Sequence, residues 1–249
     1  MSTAPAELDG ETRRPRRGRT WGTIGRGVAG LLGEVLITAG AVVLLFVGWQ
    51  LWWTNAAADA DGAQVVAALQ HGFDDPTVAQ PEPDSTVIQP EPEPGTAFAV
   101  VHIPRFGSGF ARPLYEGTGQ DVLARGIGHY LETARPGEVG NSAIARHRNG
   151  HGEPFNRIAD LLTGDAVIVE TRSSWFVYRV TGREVVPPTQ VGVLLPVPDA
   201  PGSVPTKALL TMTSCHPLFS TKERYIVYGE LENRYPRQEG PPAEIFAAN

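Results

Sequence analysis

Three polar residues that lie far apart in the 249-residue sequence have the side chains that an acyl-transfer site needs. Cys215 is the only cysteine, and His147 and Arg224 each adjoin an apolar run. A thiolate attacks carbonyl carbon atoms, and a nearby imidazolium or guanidinium favours the thiolate over the thiol. The histidine can protonate a leaving amine, and the permanently charged arginine can donate to the oxygen that becomes negative in the tetrahedral intermediate. These residue types predict nucleophilic catalysis by Cys215, with His147 as acid/base and Arg224 at the oxyanion.

The positions of the three residues predict that strand ends bring them together. The cysteine follows the apolar run Ala208–Ser214, the arginine precedes the run Tyr225–Leu231, and the histidine follows Ser142–Arg146. If the first two runs pair as a hairpin, the thiol and the guanidinium lie at the same end of neighbouring strands. The histidine also follows a strand directly, so all three side chains can converge at one edge of a sheet.

Each of the three residues, taken alone, has a simpler interpretation. A free cysteine is often a small buried hydrophobe. The arginine could be a surface ion-pair partner of Glu223 or Glu230, and the histidine could be a polar loop residue. Polar loop positions are also what we expect of three further histidines, His71, His102 and His129.

A zinc site is the metal alternative, because His147 and His151 are four residues apart and His216 adjoins the cysteine. That spacing places two ligands on one face only in a helix, and Asn149 and Gly150 break a helix here. We therefore expect neither a metal nor a cofactor.

Short strands separated by Gly/Pro turns recur from Ala97 onward. The predicted strands are Ala97–Ile103, Ser142–Arg146, Asp165–Thr171, Trp175–Val186, Ala208–Ser214 and Tyr225–Leu231. Two short helices are predicted, Gln120–Arg125 and Phe155–Leu162, the second with Phe155, Ile158 and Leu162 on one face. Residues 187–207, with six prolines, are predicted to form a long loop that walls a substrate site. Many strands and few helices favour a closed antiparallel or mixed β-barrel.

The first 96 residues have the pattern of a membrane anchor followed by a spacer. Residues 1–34 form a basic segment with six arginines, and residues 35–54 carry no charge. Twenty residues at a helical rise of ~1.5 Å span the ~30 Å hydrocarbon layer. Arginines before this run and tryptophans at its far end predict a single-pass helix with a cytoplasmic N-terminus and an extracellular C-terminal domain. A cleaved secretory signal is the alternative, but its apolar core is shorter.

Residues 55–96 are predicted to contain a juxtamembrane helix that starts near Asp61, and then a spacer. Residues 74–95 hold six prolines and six acidic residues, a composition that favours extended polyproline II. The catalytic domain is predicted at residues 97–235, and a C-terminal tail at 236–249. From Asn55 onward there are 15 basic and 23 acidic residues, which argues against a nucleic-acid partner.

Two stretches together carry a recognisable pattern: AIARHRNGHGEPF around His147 and LTMTSCHP around Cys215, with Arg224 nine residues beyond the cysteine. With Gly126–Tyr130 and Arg135–Asn141, this resembles the sortase family over about residues 97–231, specifically the class E sortases of high-GC Gram-positive bacteria. One departure is Arg146, where the family usually has a glycine.

The resemblance implies an eight-stranded β-barrel and a defined reaction. The cysteine would cleave an LAxTG-like C-terminal sorting signal of a surface protein after threonine, form a thioester, and pass the acyl group to an amine of a peptidoglycan precursor or cross-bridge. It further implies that Tyr130, Thr213 and Ser214 bind the substrate.

Two other classes of protein remain open on the sequence alone. One is another exported cysteine acyl-transferase such as an L,D-transpeptidase, although Ser214 stands where that family has glycine before its cysteine. The other is a non-catalytic, membrane-tethered β-module in which Cys215 is buried. Thiol labelling separates them, because a core cysteine resists alkylation in the folded state.

Overall fold

The computed structural model of the chain describes residues 21–75, 92–149 and 155–246. The chain divides into two units, residues 1–50 and residues 51–249. Three predicted features lie at least partly outside the described residues: most of the basic N-terminal arginines, most of the Pro/Glu-rich spacer, and His151.

The N-terminal helix α1 spans Trp21–Phe73, a length of 53 residues. Its segment Arg26–Trp49 is long and apolar enough to cross a membrane, with a mean hydropathy of 2.3. This segment overlaps the predicted span 35–54, whose bounds stay a prediction. The expected helix start near Asp61 is wrong, because α1 runs through this position without a break. The residues from 56 to 63 include five alanines, and the high helix propensity of alanine outweighs the single Gly62.

Eight strands within the described residues close into a barrel in the order β1-β2-β3-β4-β7-β8-β6-β5. The strands are β1 (Ala97–His102), β2 (Ala111–Glu116), β3 (Ile127–His129), β4 (Gly140–Ala145), β5 (Ala166–Glu170), β6 (Ser174–Val186), β7 (Ala208–His216) and β8 (Glu223–Pro236). The pairs β2/β3 and β4/β7 are parallel, and the other neighbours are antiparallel. The predicted closed mixed barrel of eight strands is confirmed.

Strands β2 and β3 were not expected from the sequence. Pro113 interrupts the pattern of β2, and a proline inside a run argues against a strand. Strand β3 has three residues, too few for an alternation to be recognised. Between them, helix α2 (Gln120–Arg125) has the predicted bounds.

The side chains of each strand alternate between the barrel interior and its outer face. Ile144, Met212 and Val227 belong to the buried core inside the barrel. On the outer face, Ile226 packs with Val193 of the segment between β6 and β7. That segment, residues 187–207, is the predicted long loop, with one short 3₁₀ turn.

The predicted helix Phe155–Leu162 is wrong, since the structure has only a 3₁₀ turn at Ile158–Asp160. Phe155, Ile158 and Leu161 are all fully buried, whereas Leu162 is 46% exposed. The buried positions therefore recur every third residue, which is the period of a 3₁₀ turn and not of an α-helix.

Two histidines that were predicted to be polar loop residues are instead buried in strands. His102 of β1 lies 2.9 Å from Glu170 of β5, and His129 of β3 lies 3.0 Å from Glu116 of β2. A buried carboxylate needs hydrogen-bond donors, and the imidazoles supply them. His71, also expected in a loop, is exposed in α1.

The His102–Glu170 pair also fastens the end of α1 to the barrel. Glu170 accepts a hydrogen bond from Gln70 of α1 at 2.8 Å and from Arg237 at 3.1 Å. Burial favours the neutral carboxyl, but the hydrogen bonds from His102 and Gln70 and the charge of Arg237 outweigh it and lower the pKa of Glu170. The C-terminal part of α1 is therefore a fixed part of the barrel unit.

Candidate active site

Cys215 and Arg224 face each other across two neighbouring strands. The two residues are direct partners in the antiparallel register of β7 and β8, and a loop of residues 217–222 joins the strands. Pro217 lacks an N–H donor and ends the ladder directly after His216. The predicted hairpin is confirmed, and it places both residues at the same strand end.

His147 follows strand β4, which neighbours β7 on the side opposite β8. Strand β4 runs parallel to β7 with Ala145 beside Thr213, and the backbone N–H of Arg146 donates to the carbonyl of Thr213 at 3.2 Å. His147 lies two residues beyond Ala145, and Cys215 lies two residues beyond Thr213. Adjacent strands lie roughly 4.8 Å apart.

Extending this register by two residues puts His147, Cys215 and Arg224 in one row at the ends of β4, β7 and β8, with the cysteine in the middle. All three are half-buried, so the thiol is neither a core residue nor fully solvated. A thiolate in this position has an imidazole on one side and a guanidinium on the other, the arrangement that nucleophilic attack on a carbonyl requires.

The row lies on the outer face of the barrel, at the end of the strip of β4 and β7 between Tyr130 and the 187–207 loop, which we call the groove. Met212 of β7 points into the core, so its neighbour Thr213 shares the outer face with Cys215. Ala143 and Ala145 of β4 lie beside Thr211 and Thr213 in the same register. Small side chains therefore form the floor of the groove, and all four are buried, with at most 6% exposed.

Tyr130 and the 187–207 loop flank this floor. The Tyr130 hydroxyl is 3.0 Å from the Thr213 hydroxyl. Asn141 of β4 ties down the loop, because its amide donates to the carbonyls of Val193 and Leu195, each at 3.0 Å, and its oxygen accepts from Thr211 at 2.8 Å. Tyr130 and Thr213 are thus in contact, and their role in substrate binding stays a prediction.

The Arg224 guanidinium is held by backbone carbonyls. Its Nη1 donates to the carbonyl oxygens of Thr221 and Glu223, both at 3.0 Å. The sequence suggested Glu223 or Glu230 as an ion-pair partner of Arg224, but neither carboxylate pairs with it. Glu223 accepts through its backbone carbonyl, and Glu230 pairs with Lys207 at 2.9 Å. The loop between β7 and β8 therefore orients the fork of the guanidinium at the rim of the groove.

Ser214 lies on the opposite face of β7 from Cys215. It is 3% exposed, and its hydroxyl donates to the carbonyl of Arg146 at 2.9 Å. Tyr225, its register partner on β8, packs against the barrel core. The structure does not bring Ser214 to the groove with Thr213, because neighbouring residues of a strand point to opposite faces.

Arg146, the residue in place of the family's glycine, also points away from the thiol. Its Nη1 donates to the carbonyls of Leu123 and Gly126, at the C-terminal end of α2. Burial, and then the charge of Arg112, lowers the pKa of the Arg146 guanidinium to about 10. A cation is favourable at a helix C-terminus, so Arg146 stabilises α2.

Arg148 is a residue of the site that the sequence did not single out. It is 6% exposed, and its Nη1 lies 2.7 Å from Nδ1 of His216 and 3.4 Å from the carbonyl of Cys215. Its guanidinium also stands 5.6 Å from the centre of the Tyr225 ring. Arg148 thus fixes the strand end that carries the thiol, and an arginine in a loop sequence gives no signal of such a contact.

Comparisons with known proteins agree with this geometry. A family model described as Sortase domain matches residues 101–232. A Streptomyces coelicolor protein named Sortase SrtE1 is 40% identical over 224 residues, which are 87% of this chain and 60% of that protein. Sortase SrtE2 of the same organism is 32% identical over 236 residues, 90% of each chain. The crystal structure of Sortase E1 from Streptomyces coelicolor with a tripeptide in the active site matches with a TM-score of 0.56 and 38% identity, covering 61% of this chain and 98% of that one.

Proposed function

The chain belongs to the sortase family, in class E, and is a cysteine transpeptidase. We propose that it cleaves LAxTG-like C-terminal sorting signals after threonine. We propose further that it attaches the surface proteins that bear these signals to a cell-wall amine. The observation that carries this proposal is the pairing of Cys215 with Arg224 across β7 and β8, together with the β4/β7 register, which ends two residues before His147 and Cys215. These are the three groups that acyl transfer from a peptide bond requires, in one place.

Each of the three residues takes one role in the proposed reaction. The Cys215 thiolate attacks the threonine carbonyl carbon, and Arg224 donates to the oxygen that becomes negative. When the C–N bond breaks, His147 gives a proton to the departing glycine amine, and a thioester remains on Cys215. An incoming amine then attacks the thioester, its proton passes to His147, and the thiolate leaves.

The groove supports the proposed substrate class. Its floor consists of buried alanine and threonine side chains, whose small size would let the backbone of a bound, extended peptide lie near the strands. Small residues such as the alanine of the signal fit over this floor, and Tyr130 can contact the peptide from one side. The 187–207 loop, tied down by Asn141, is the proposed opposite wall.

The proposed location follows from the N-terminal helix. The segment Arg26–Trp49 would anchor the chain in the plasma membrane as a single span. The arginines before it favour a cytoplasmic N-terminus, which leaves the barrel outside the cell. There it would meet secreted proteins and an amine of a peptidoglycan precursor or cross-bridge.

The test uses the full chain in detergent with quenched fluorescent peptides. A peptide that contains Leu-Ala-Glu-Thr-Gly should be cleaved after threonine, a scrambled peptide should not, and added triglycine or diaminopimelic acid should appear in the product. Cys215→Ala, His147→Ala and Arg224→Ala should each remove cleavage, while His71→Ala, an exposed histidine of α1, should keep it. Cleavage that persists in Cys215→Ala would contradict the proposal.

A further inference from the structure

The imidazole of His129 is buried next to the proposed substrate groove and hydrogen-bonded on both sides. Its Nδ1 lies 3.0 and 3.3 Å from the two carboxylate oxygens of Glu116. Its Nε2 lies 3.0 Å from the carbonyl of Ala134 and 3.1 Å from the hydroxyl of Thr133. His129 is 2% exposed and Glu116 is 6% exposed, so solvent does not replace these contacts.

The surrounding groups fix the position of one imidazole proton, the one on Nε2. The Ala134 carbonyl can only accept, and the Thr133 hydroxyl gives its own proton to the carbonyl of Tyr130 at 2.7 Å. Nε2 of His129 must therefore carry a proton and donate it. Nδ1 lies within hydrogen-bond distance of both oxygens of the Glu116 carboxylate. The imidazole thus acts as a rigid bridge from strand β2 to the backbone beyond β3.

The segment held by this bridge carries the groove tyrosine. Residues 130–134, the Tyr130 segment, begin directly after β3 and end at the Ala134 carbonyl that His129 binds. The Thr133 hydroxyl accepts from the backbone N–H of Ala143 on the groove floor at 3.3 Å. The Tyr130 hydroxyl meets Thr213 at 3.0 Å. His129 therefore binds the C-terminal end of the Tyr130 segment, at Ala134, and the N-terminal end of this segment, at Tyr130, lies over the groove.

We propose that the Glu116–His129 pair positions Tyr130 for substrate binding, so that the pair sets the affinity for the sorting-signal peptide without touching it. The proposal rests on the groove assigned under the proposed function. Its mechanism is preorganisation: a segment held in the binding geometry loses less conformational freedom when the peptide binds. His129 and Glu116 are in this sense positioning residues.

The barrel contains a matched control for a purely structural role. His102 and Glu170 form a second buried imidazole–carboxylate pair, at 2.9 Å, which joins β1, β5 and the end of α1. If both pairs only stabilise the fold, breaking either one lowers the melting temperature and leaves the affinity for peptide unchanged. If the Glu116–His129 pair positions Tyr130, breaking it raises KM as well.

Two substitutions of His129 separate its two contacts. The amide of His129→Asn reaches the position of Nδ1 and can donate to Glu116, but it cannot form the hydrogen bond to the Ala134 carbonyl of the Tyr130 segment. The amide nitrogen of His129→Gln reaches the position of Nε2 and can donate to the Ala134 carbonyl. Thr133→Val removes one hydroxyl of the same network and leaves the imidazole pair in place, so it serves if His129→Asn does not fold.

The experiment measures kcat, KM and melting temperature of the full chain in detergent with the quenched Leu-Ala-Glu-Thr-Gly peptide. His129→Asn should raise KM about tenfold with kcat within about twofold of wild type, as expected for a lost contact that acts on binding alone. His129→Gln should recover part of this loss, because it keeps the contact with the Ala134 carbonyl and gives up the contact with Glu116. Thr133→Val should raise KM in the same direction. His102→Asn, whose amide does not reach the Nε2 position that meets Glu170, should lower the melting temperature with an unchanged KM.

A wild-type KM in both His129→Asn and Thr133→Val would overturn the inference while the proposed function stands. An equal rise of KM in His129→Asn and His102→Asn would also overturn it, since the effect would then be a general loss of rigidity. A wild-type chain that cleaves none of the sorting-signal peptides would contradict the proposed function, and this inference would fail with it.

Discussion

Replacing Arg224 with lysine keeps the positive charge and removes the fork, and we expect a large loss of kcat. In the structure one nitrogen, Nη1, donates to the carbonyls of Thr221 and Glu223, and this fixes the plane of the guanidinium. The remaining N–H groups can then point at the oxyanion. A lysine has a single nitrogen, so it must leave those carbonyls in order to reach the oxyanion.

The expected size of the effect follows from this loss of orientation. Removal of one oxyanion donor typically costs about 10²–10³ in kcat, or about 2.7–4 kcal/mol. Arg224→Lys should fall in this range with a KM close to wild type, since the contact forms only in the transition state. Steady-state cleavage of the quenched peptide measures both constants, and a melting curve shows whether the fold is intact. A folded Arg224→Lys enzyme within about threefold of the wild-type kcat would refute the oxyanion role.

Three further substitutions test contacts around the site and the barrel. Arg148→Met removes a buried cation next to the Cys215 backbone, so alkylation of the Cys215 thiol by iodoacetamide at pH 7 should slow at least about twofold. An unchanged alkylation rate in a folded variant would show that the charge of Arg148 does not act on the thiolate. Asn141→Ala removes two hydrogen-bond donors to the 187–207 loop, so proteolysis in this loop should accelerate and KM for the peptide should rise. A loop that resists proteolysis as well as the wild-type loop would show that Asn141 does not hold it in place. The pKa of Glu170 is lowered in the folded state, so its stabilising contribution is present above the ordinary value of 4.5 and is lost as the pH falls through the folded pKa. Glu170→Gln should therefore be less stable than wild type at pH 7 in denaturant unfolding and should lose less stability in acid; equal acid sensitivity would contradict this assignment.

The sequence predicted the parts of the fold whose signals are local. Alternation of apolar residues marked six strands, and Cys215 and Arg224 each stood at the end of one, so their pairing could be inferred from chain distance alone. The family resemblance supplied the number of strands and the groove tyrosine. The bounds of helix α2 were also predicted from its local pattern.

The parts that could not be predicted depend on partners distant in the chain. His129 and His102 looked like loop histidines until the fold brought Glu116 and Glu170 beside them. Arg148 contacts His216 across 68 residues, and nothing near it in the chain indicates this. Ser214 was placed in the groove by its proximity to Cys215 in sequence, yet strand alternation turns it to the other face.

Detection of an acyl-enzyme on Cys215 tests the central claim most directly. The full chain would be mixed with excess Leu-Ala-Glu-Thr-Gly peptide without an amine acceptor, quenched rapidly in acid, and analysed by intact mass and peptide mapping. The account predicts an added mass equal to the peptide up to threonine, located on Cys215, released by hydroxylamine and absent in Cys215→Ala. Peptide cleavage by the wild type with no such adduct at any quench time, or an adduct on another residue, would contradict it.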